Sequence, residues 1–257
     1  MLSYESTGQG ERTLVFLHGF GGHRGYWRHQ VTAFASRARC ITIDLPGHGD
    51  SPWQPSTLAQ MGAQLTGLLR QAGVCRAHLV ASSFGGLVAL EAWRQQPDRL
   101  GKLTLAGSTP RFTSTEDFPA GLDPVRIAKL AGQLQGEVGT VLDMFFRSLF
   151  TMGERSAEHY AWIRRLRPEA PLPSRDALLA MLDILDQADL RDVFARVDVP
   201  VQLVVGDGDY ICPPAMVGVL RAMQPAMRVD MFTGCGHFPF LGFPQEFNRV
   251  LSEFAGL

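Results

Sequence analysis

The chain has 257 residues, of which 46% are hydrophobic and 19% charged, with a formal net charge of −1. That length and composition supply a sizeable core and exclude a disordered chain, and the near-neutral charge with no long run of one sign argues against a general nucleic-acid binder. No apolar run reaches the ~20 residues of a membrane span, the first residues lack the layout of a signal peptide, and Cys40, Cys75, Cys212 and Cys235 form no metal-binding spacing. A cytoplasmic protein with reduced thiols, no bound metal and no organic cofactor is expected.

Short, unalternated apolar runs mark the strands in chain order: Thr13–Leu17, Cys40–Ile43, His78–Ala81, Leu103–Ala106, Val201–Val205 and a weaker Val229–Phe232. Runs of this kind suit strands buried on both faces of a parallel sheet. Helical stretches at Leu58–Gln71, Gly85–Gln95 and Pro244–Phe254 alternate with them. Strand–helix alternation predicts an α/β architecture, a mostly parallel central sheet with helices on both faces. From about Thr109 to Ala195 the rhythm changes: Val138–Phe150 and Asp176–Leu185 read as helices and no strand is convincing. The expected organisation is a core over residues 1–108, an inserted helical cap over 109–195, and the rest of the core over 196–257. A monomer is expected.

Ala81-Ser82-Ser83-Phe84-Gly85-Gly86 follows a buried strand and opens a helix, the setting of a nucleophile elbow. Strand and helix nearly touch there, so the residues two before and two after the nucleophile must be small. Ser83 is flanked in that way by Ala81 and Gly85, whereas Ser82 has the bulky Val80 and Phe84. Ser83 is therefore the candidate nucleophile. His18-Gly19-Phe20-Gly21-Gly22 follows the first clear strand and offers an oxyanion hole from the backbone N–H groups of Phe20 and Phe84. His18 and His48 read as structural.

Of the seven histidines, His237 in Gly234-Cys235-Gly236-His237-Phe238-Pro239 lies after the last strand, on the side where open α/β sheets bind ligands. The orienting acid is expected between Ser83 and His237 in the chain. Asp207 and Asp209 compete in Val205-Gly206-Asp207-Gly208-Asp209-Tyr210-Ile211-Cys212-Pro213. Spacing favours Asp209, with Asp207 shaping the turn.

The elbow, the HGFGG loop, Asp44-Leu45-Pro46-Gly47-His48-Gly49-Asp50-Ser51 and the Ser…Asp…His order together resemble the α/β-hydrolase superfamily over nearly the whole chain. Ser108-Thr109-Pro110-Arg111-Phe112, Phe118-Pro119, Phe150-Thr151-Met152-Gly153, Ile184-Leu185, Asp189-Leu190-Arg191 and His237-Phe238-Pro239-Phe240 carry a closer resemblance. They are similar to the pimeloyl-acyl-carrier-protein methyl ester esterases of biotin synthesis. This implies a serine carboxylesterase that removes a methyl group from a pimeloyl chain attached to acyl-carrier protein. Two features depart from that family: Ala81-Ser82 stands where glycine and a bulky aromatic are usual, and Phe20 where tryptophan is usual. Phe20, Phe145, Phe146 and Phe150 are candidates for the acyl pocket. Between Met144 and Arg167 five arginines face two glutamates. Arg147, Arg155 and Arg164 are candidates for contact with an acidic carrier protein. A broad short-chain carboxylesterase or a carbon–carbon bond hydrolase would use the same three catalytic residues, and a ligand receptor of this fold is a more distant alternative.

Overall fold

A computed structural model describes residues 2–257. Seven strands form one sheet: β1 Tyr4–Thr7, β2 Thr13–Leu17, β3 Arg39–Ile43, β4 Ala77–Ser82, β5 Leu100–Ala106, β6 Val201–Gly206 and β7 Arg228–Phe232. Their order across the sheet is β1-β3-β2-β4-β5-β6-β7. Only the β1–β3 pair is antiparallel. The central strands are buried along nearly their whole length, which is why they read as continuous apolar runs rather than alternating ones.

The first helices are α1 Arg28–Phe34, α2 Leu58–Gln71 and α3 Phe84–Gln95. A capping box at Thr57 and Gln60 starts α2, matching the sequence expectation for its first residue. Between β5 and β6 the chain runs through α4 Pro124–Gln133, α5 Val138–Ser148, α6 Met152–Ser156, α7 Tyr160–Leu166, α8 Arg175–Gln187 and α9 Arg191–Ala195. No strand interrupts this helical segment; only isolated bridges join Thr113 to Leu122 and Thr115 to Phe118. The chain closes with α10 Met216–Met223, α11 Pro239–Gly242 and α12 Pro244–Ala255. Among the described residues, no helix is long and apolar enough to cross a membrane.

Strand β1 lies outside the sequence expectation. All four of its residues are exposed, and it joins the sheet edge through backbone pairing with β3. A strand that buries no side chain leaves no apolar signature.

Candidate active site

The loops that leave the carboxyl ends of β2, β4, β5, β6 and β7 converge on one end of the sheet, the ligand-binding edge of open α/β folds. Ser83 sits at the turn from β4 into α3 with φ 51° and ψ −123°, the only non-glycine residue among those described with a positive φ. Such a backbone conformation is unfavourable for a residue with a side chain and clusters at functional positions. The turn is held from outside: the Ser83 N–H donates to the Ala106 carbonyl at 3.1 Å, and the Ser108 hydroxyl donates to the Ser83 carbonyl at 2.6 Å. At Gly85 a Cβ would lie 2.7 Å from the His18 carbonyl oxygen and 3.0 Å from the Leu17 Cβ, so only glycine lets α3 approach β2 this closely.

Asp209 and His237 are both 2% exposed. The Asp209 carboxylate is oriented by three donors. Oδ1 accepts from the N–H groups of Ile211 (2.8 Å) and Cys212 (3.0 Å), and Oδ2 accepts from His237 Nδ1 at 2.8 Å. A carboxylate only accepts, so the proton of a neutral His237 is on Nδ1 and Nε2 keeps its lone pair. The competing Asp207 does a different job: its Oδ1 accepts from the Gly234 N–H at 2.7 Å and so pins the loop that leads to His237. Cys212 also approaches this pair, and the ligating atoms of Asp209, Cys212 and His237 lie within 4.8 Å of one another. Each is already engaged, however. The Cys212 thiol donates to the Gly107 carbonyl at 3.3 Å, and burial holds it in the protonated form.

Two buried histidines organise the Gly19–Gly22 loop, and both are neutral. The Leu45 N–H donates to His18 Nε2 at 3.0 Å, which puts the His18 proton on Nδ1, 2.8 Å from the Gly19 carbonyl. The Gly21 N–H donates to His48 Nε2 at 3.2 Å, while His48 Nδ1 donates to the Pro46 carbonyl at 3.1 Å. Burial lowers the pKa of each to about 3. The turn that carries His48 is built on the buried Asp44, whose carboxylate accepts from the N–H groups of Arg24 and Asp50 and pairs with the Arg24 guanidinium. The Asp44–Ser51 stretch thus acts on the site from a distance, through His48 and Gly21. With the Gly21 and Gly22 N–H groups committed to His48 and to the Gly19 carbonyl, Phe20, just before them, is the residue of the loop whose N–H is left for a ligand. Phe84 is the first residue of α3, where an N–H has no intrahelical partner.

Ser83, His237 and Phe20 line the same cavity of about 770 Å³. The remaining wall is mostly apolar, with Phe112, Ile127, Val141, Phe145, Leu182 and Phe238 among its members. Its cationic residues, Arg126 and Lys129, both come from α4. The four pocket aromatics expected from sequence divide: Phe20 and Phe145 face the cavity and meet edge to face with ring centroids 5.5 Å apart. Phe146 and Phe150 do not line it. They are 7% and 3% exposed and pack with Phe238, Phe146 also against Tyr26 and Phe150 against Tyr160. Helical rotation explains the division, because Leu142 and Phe146 share the inward stripe of α5 while Phe145 is turned away from it.

Arg147, Arg155 and Arg164 meet around a second hollow of about 560 Å³, together with Arg167 and Tyr160. Arg167 pairs with Asp143. Among the described residues no carboxylate pairs with Arg147, Arg155 or Arg164, and the buried Tyr160 hydroxyl has no hydrogen-bond partner. Sequence reasoning missed Glu154, which is buried beside the His237 loop. Its contact is with residues 82 positions away, and no local pattern announces that.

Residues 14–250 match the model of the alpha/beta hydrolase family. The chain is 34% identical over 245 residues to a pimeloyl-[acyl-carrier protein] methyl ester esterase of Nitrosomonas europaea, covering 95% of both chains. It is 33% identical over 257 residues to one of Methylococcus capsulatus, covering 98% of both. Among solved structures, an esterase from Exiguobacterium antarcticum superposes with a TM-score of 0.90 at 22% identity, covering 100% of this chain and 96% of the other. A bromoperoxidase from Bacillus anthracis gives 0.89 at 25% identity, covering 100% and 95%. With the sheet order, the strained Ser83 turn and the buried aspartate–histidine pair, these likenesses show that the chain belongs to the alpha/beta hydrolase family, as a carboxylic-ester hydrolase.

Proposed function

We propose that the protein demethylates pimeloyl-acyl-carrier-protein methyl ester, with Ser83 as nucleophile, His237 as base and Asp209 as the residue that orients the base. The observation that carries the chemistry is the orientation of His237. Its Nδ1 is tied to a buried carboxylate, and its ring opens onto the same cavity as Ser83. Nε2 takes the Ser83 proton as Oγ attacks the ester carbonyl, and Asp209 stabilises the imidazolium that results. The N–H groups of Phe20 and Phe84 hold the oxyanion; one such donor is typically worth about 3–4 kcal/mol in the transition state. The tetrahedral intermediate collapses to an acyl-enzyme as His237 protonates the departing methanol. A water molecule, deprotonated by His237, then attacks the acyl-enzyme, and Ser83 leaves with its proton restored.

The substrate assignment is supported by relatives that bear this activity in their names and match nearly the full chain. It is also supported by the mostly apolar cavity and by three arginines without carboxylate partners in the helical segment. We read residues 109–195 as a cap over the site, which supplies Ile127, Val141, Phe145 and Leu182 to the cavity and offers Arg147, Arg155 and Arg164 to the acidic carrier. Exposed Val125, Met144 and Met152 in the same segment add apolar surface for docking.

The test is a comparison of kcat/KM for the carrier-bound methyl ester with that for p-nitrophenyl acetate and butyrate, with Ser83→Ala as the blank. A preference of about 10²-fold or more for the carrier-bound ester is expected, together with a loss of at least about 10³-fold in kcat for Ser83→Ala on every substrate. Turnover of the small esters alone would make the protein a broad carboxylesterase.

A further inference from the structure

The helical segment grips the loop that carries His237 at three points. The Leu149 carbonyl accepts from the His237 N–H at 2.8 Å, Glu154 Oε2 accepts from the Gly236 N–H at 2.9 Å, and the Thr151 hydroxyl donates to the Gly234 carbonyl at 2.8 Å. Gly236 leaves no space between the two segments, since a Cβ there would lie 2.2 Å from the Leu149 carbonyl oxygen. The two backbones are therefore in direct contact just before the histidine.

Glu154 is the unusual member of this set. Its side chain is 7% exposed, and among the described residues no lysine, arginine or histidine pairs with it. Burial pushes its pKa up, while the N–H groups of Thr151 and Gly236 favour the carboxylate. As the third residue of α6 it completes a capping box with Thr151. An exposed glutamate performs that job equally well, so capping a five-residue helix gives no reason to bury a charge. The second bond does: the same Oε2 serves the Thr151 N–H at 2.7 Å and the Gly236 N–H at 2.9 Å. The other oxygen, Oε1, has no hydrogen-bond partner and is confined by Gly242, where a Cβ would come within 2.2 Å of it.

We propose that Glu154 is a positioning residue for His237: it fixes the Gly236 peptide against α6, and through it keeps the imidazole on Asp209 with Nε2 turned to the cavity. The inference rests on the reading of Ser83, Asp209 and His237 as the catalytic set, and it makes the helical segment part of the machinery that sets the base. A carboxylate suits this role because one oxygen has lone pairs for two backbone donors, and a hydrogen bond to a charged acceptor is shorter and stronger than one to a neutral acceptor.

The experiment uses the full chain with Glu154→Ala, Glu154→Gln and Glu154→Asp, assayed on p-nitrophenyl butyrate, with Tm recorded for each. The low-field proton resonance of His237 Nδ1–H, assigned by its loss in His237→Ala, is followed in parallel. Glu154→Ala is expected to lower kcat by about 10-fold or more with KM within about twofold, because a small misplacement of a catalytic group is costly in kcat. Its Nδ1 resonance is expected to shift or broaden. Glu154→Gln keeps an acceptor oxygen in place and is expected to recover kcat to within about threefold of the parent. Glu154→Asp keeps the charge but withdraws it by one methylene, so it gives the same fall in kcat should the alanine variant not fold. A folded Glu154→Ala or Glu154→Asp variant with unchanged kcat and resonance overturns the proposal, as does a loss confined to KM. Ser83→Ala and His237→Ala are run alongside. If they retain activity, the catalytic assignment itself falls, whereas their inactivity beside an intact Glu154→Ala variant refutes the role of Glu154 alone.

Discussion

One added methyl group at Gly85 would meet the His18 carbonyl oxygen at 2.7 Å and the Leu17 Cβ at 3.0 Å, so the separation of β2 and α3 is set at the scale of a single atom. Gly85→Val is expected to cost about 1–3 kcal/mol of stability, as overpacking does, and to lower kcat by about 10²-fold, because Ser83 and the Phe84 N–H move with the helix start. Thermal unfolding and steady-state kinetics on one preparation check both. This tightness is also what singles out Ser83 in the sequence. The volumes of Ala81 and Gly85 against those of Val80 and Phe84 select Ser83 over Ser82, and the strained φ of 51° falls on Ser83. The spacing that favoured Asp209 over Asp207 has a physical content too: Asp209 reaches His237, and Asp207 reaches Gly234. Glu154 was not legible, because its meaning lies in a contact made only when distant parts of the chain come together.

Among elements, those whose side chains are buried announced themselves. The parallel strands appeared as apolar runs, and α2 was read with the bounds Leu58–Gln71 that the structure gives it. Strand β1 left no such trace, since it contributes backbone hydrogen bonds rather than side-chain burial. Helix α4 was equally faint in sequence: of its ten residues only Ile127 is buried, while Arg126 and Lys129 stay exposed at the cavity wall. In α5 the two phenylalanine candidates, Phe145 and Phe146, could not be sorted without knowing which stripe of the helix faces the core. Arg147, Arg155 and Arg164 at the second hollow belong to α5, α6 and α7 and come together only through the fold of this segment. Reversing them tests the acidic carrier proposed as their partner. Arg147→Glu, Arg155→Glu and Arg164→Glu combined are expected to raise KM for the carrier-bound ester by about 10-fold or more and to leave p-nitrophenyl butyrate kinetics within about twofold, since the loss is of electrostatic steering and docking. The wild-type KM for the carrier-bound ester is also expected to rise with salt.

For the whole molecule, the buried histidines set the response to acid. His18, His48 and His78 are each buried and each has its pKa lowered by burial to about 3, against an ordinary value of 6.5. The unfolded chain therefore binds protons at these sites between pH 6.5 and 3 that the folded chain refuses. Stability is present in full above pH 6.5 and is lost as pH falls below it. Each histidine contributes at most about 1.4 kcal/mol per pH unit, so the three together could remove much of the 5–15 kcal/mol typical of a folded protein within about two units. Denaturant midpoints measured from pH 7.5 to 4.5 are expected to fall steeply below pH 6.5. His78→Asn, remote from the site, is expected to reduce that slope, whereas a flat profile would count against neutral burial of these rings.

The order of the site residues along the chain has a consequence for biogenesis. Ser83 belongs to the stretch made early, whereas Asp209 and His237 belong to the last loops, beyond β6 and β7. A growing polypeptide that has emerged through α9 therefore carries its proposed nucleophile without the histidine and aspartate proposed to activate it. Acquisition of activity is then a timer for completion of the sheet: in a pulse-labelled synthesis, reaction with an active-site-directed probe would report the moment at which the last strand has found its neighbour.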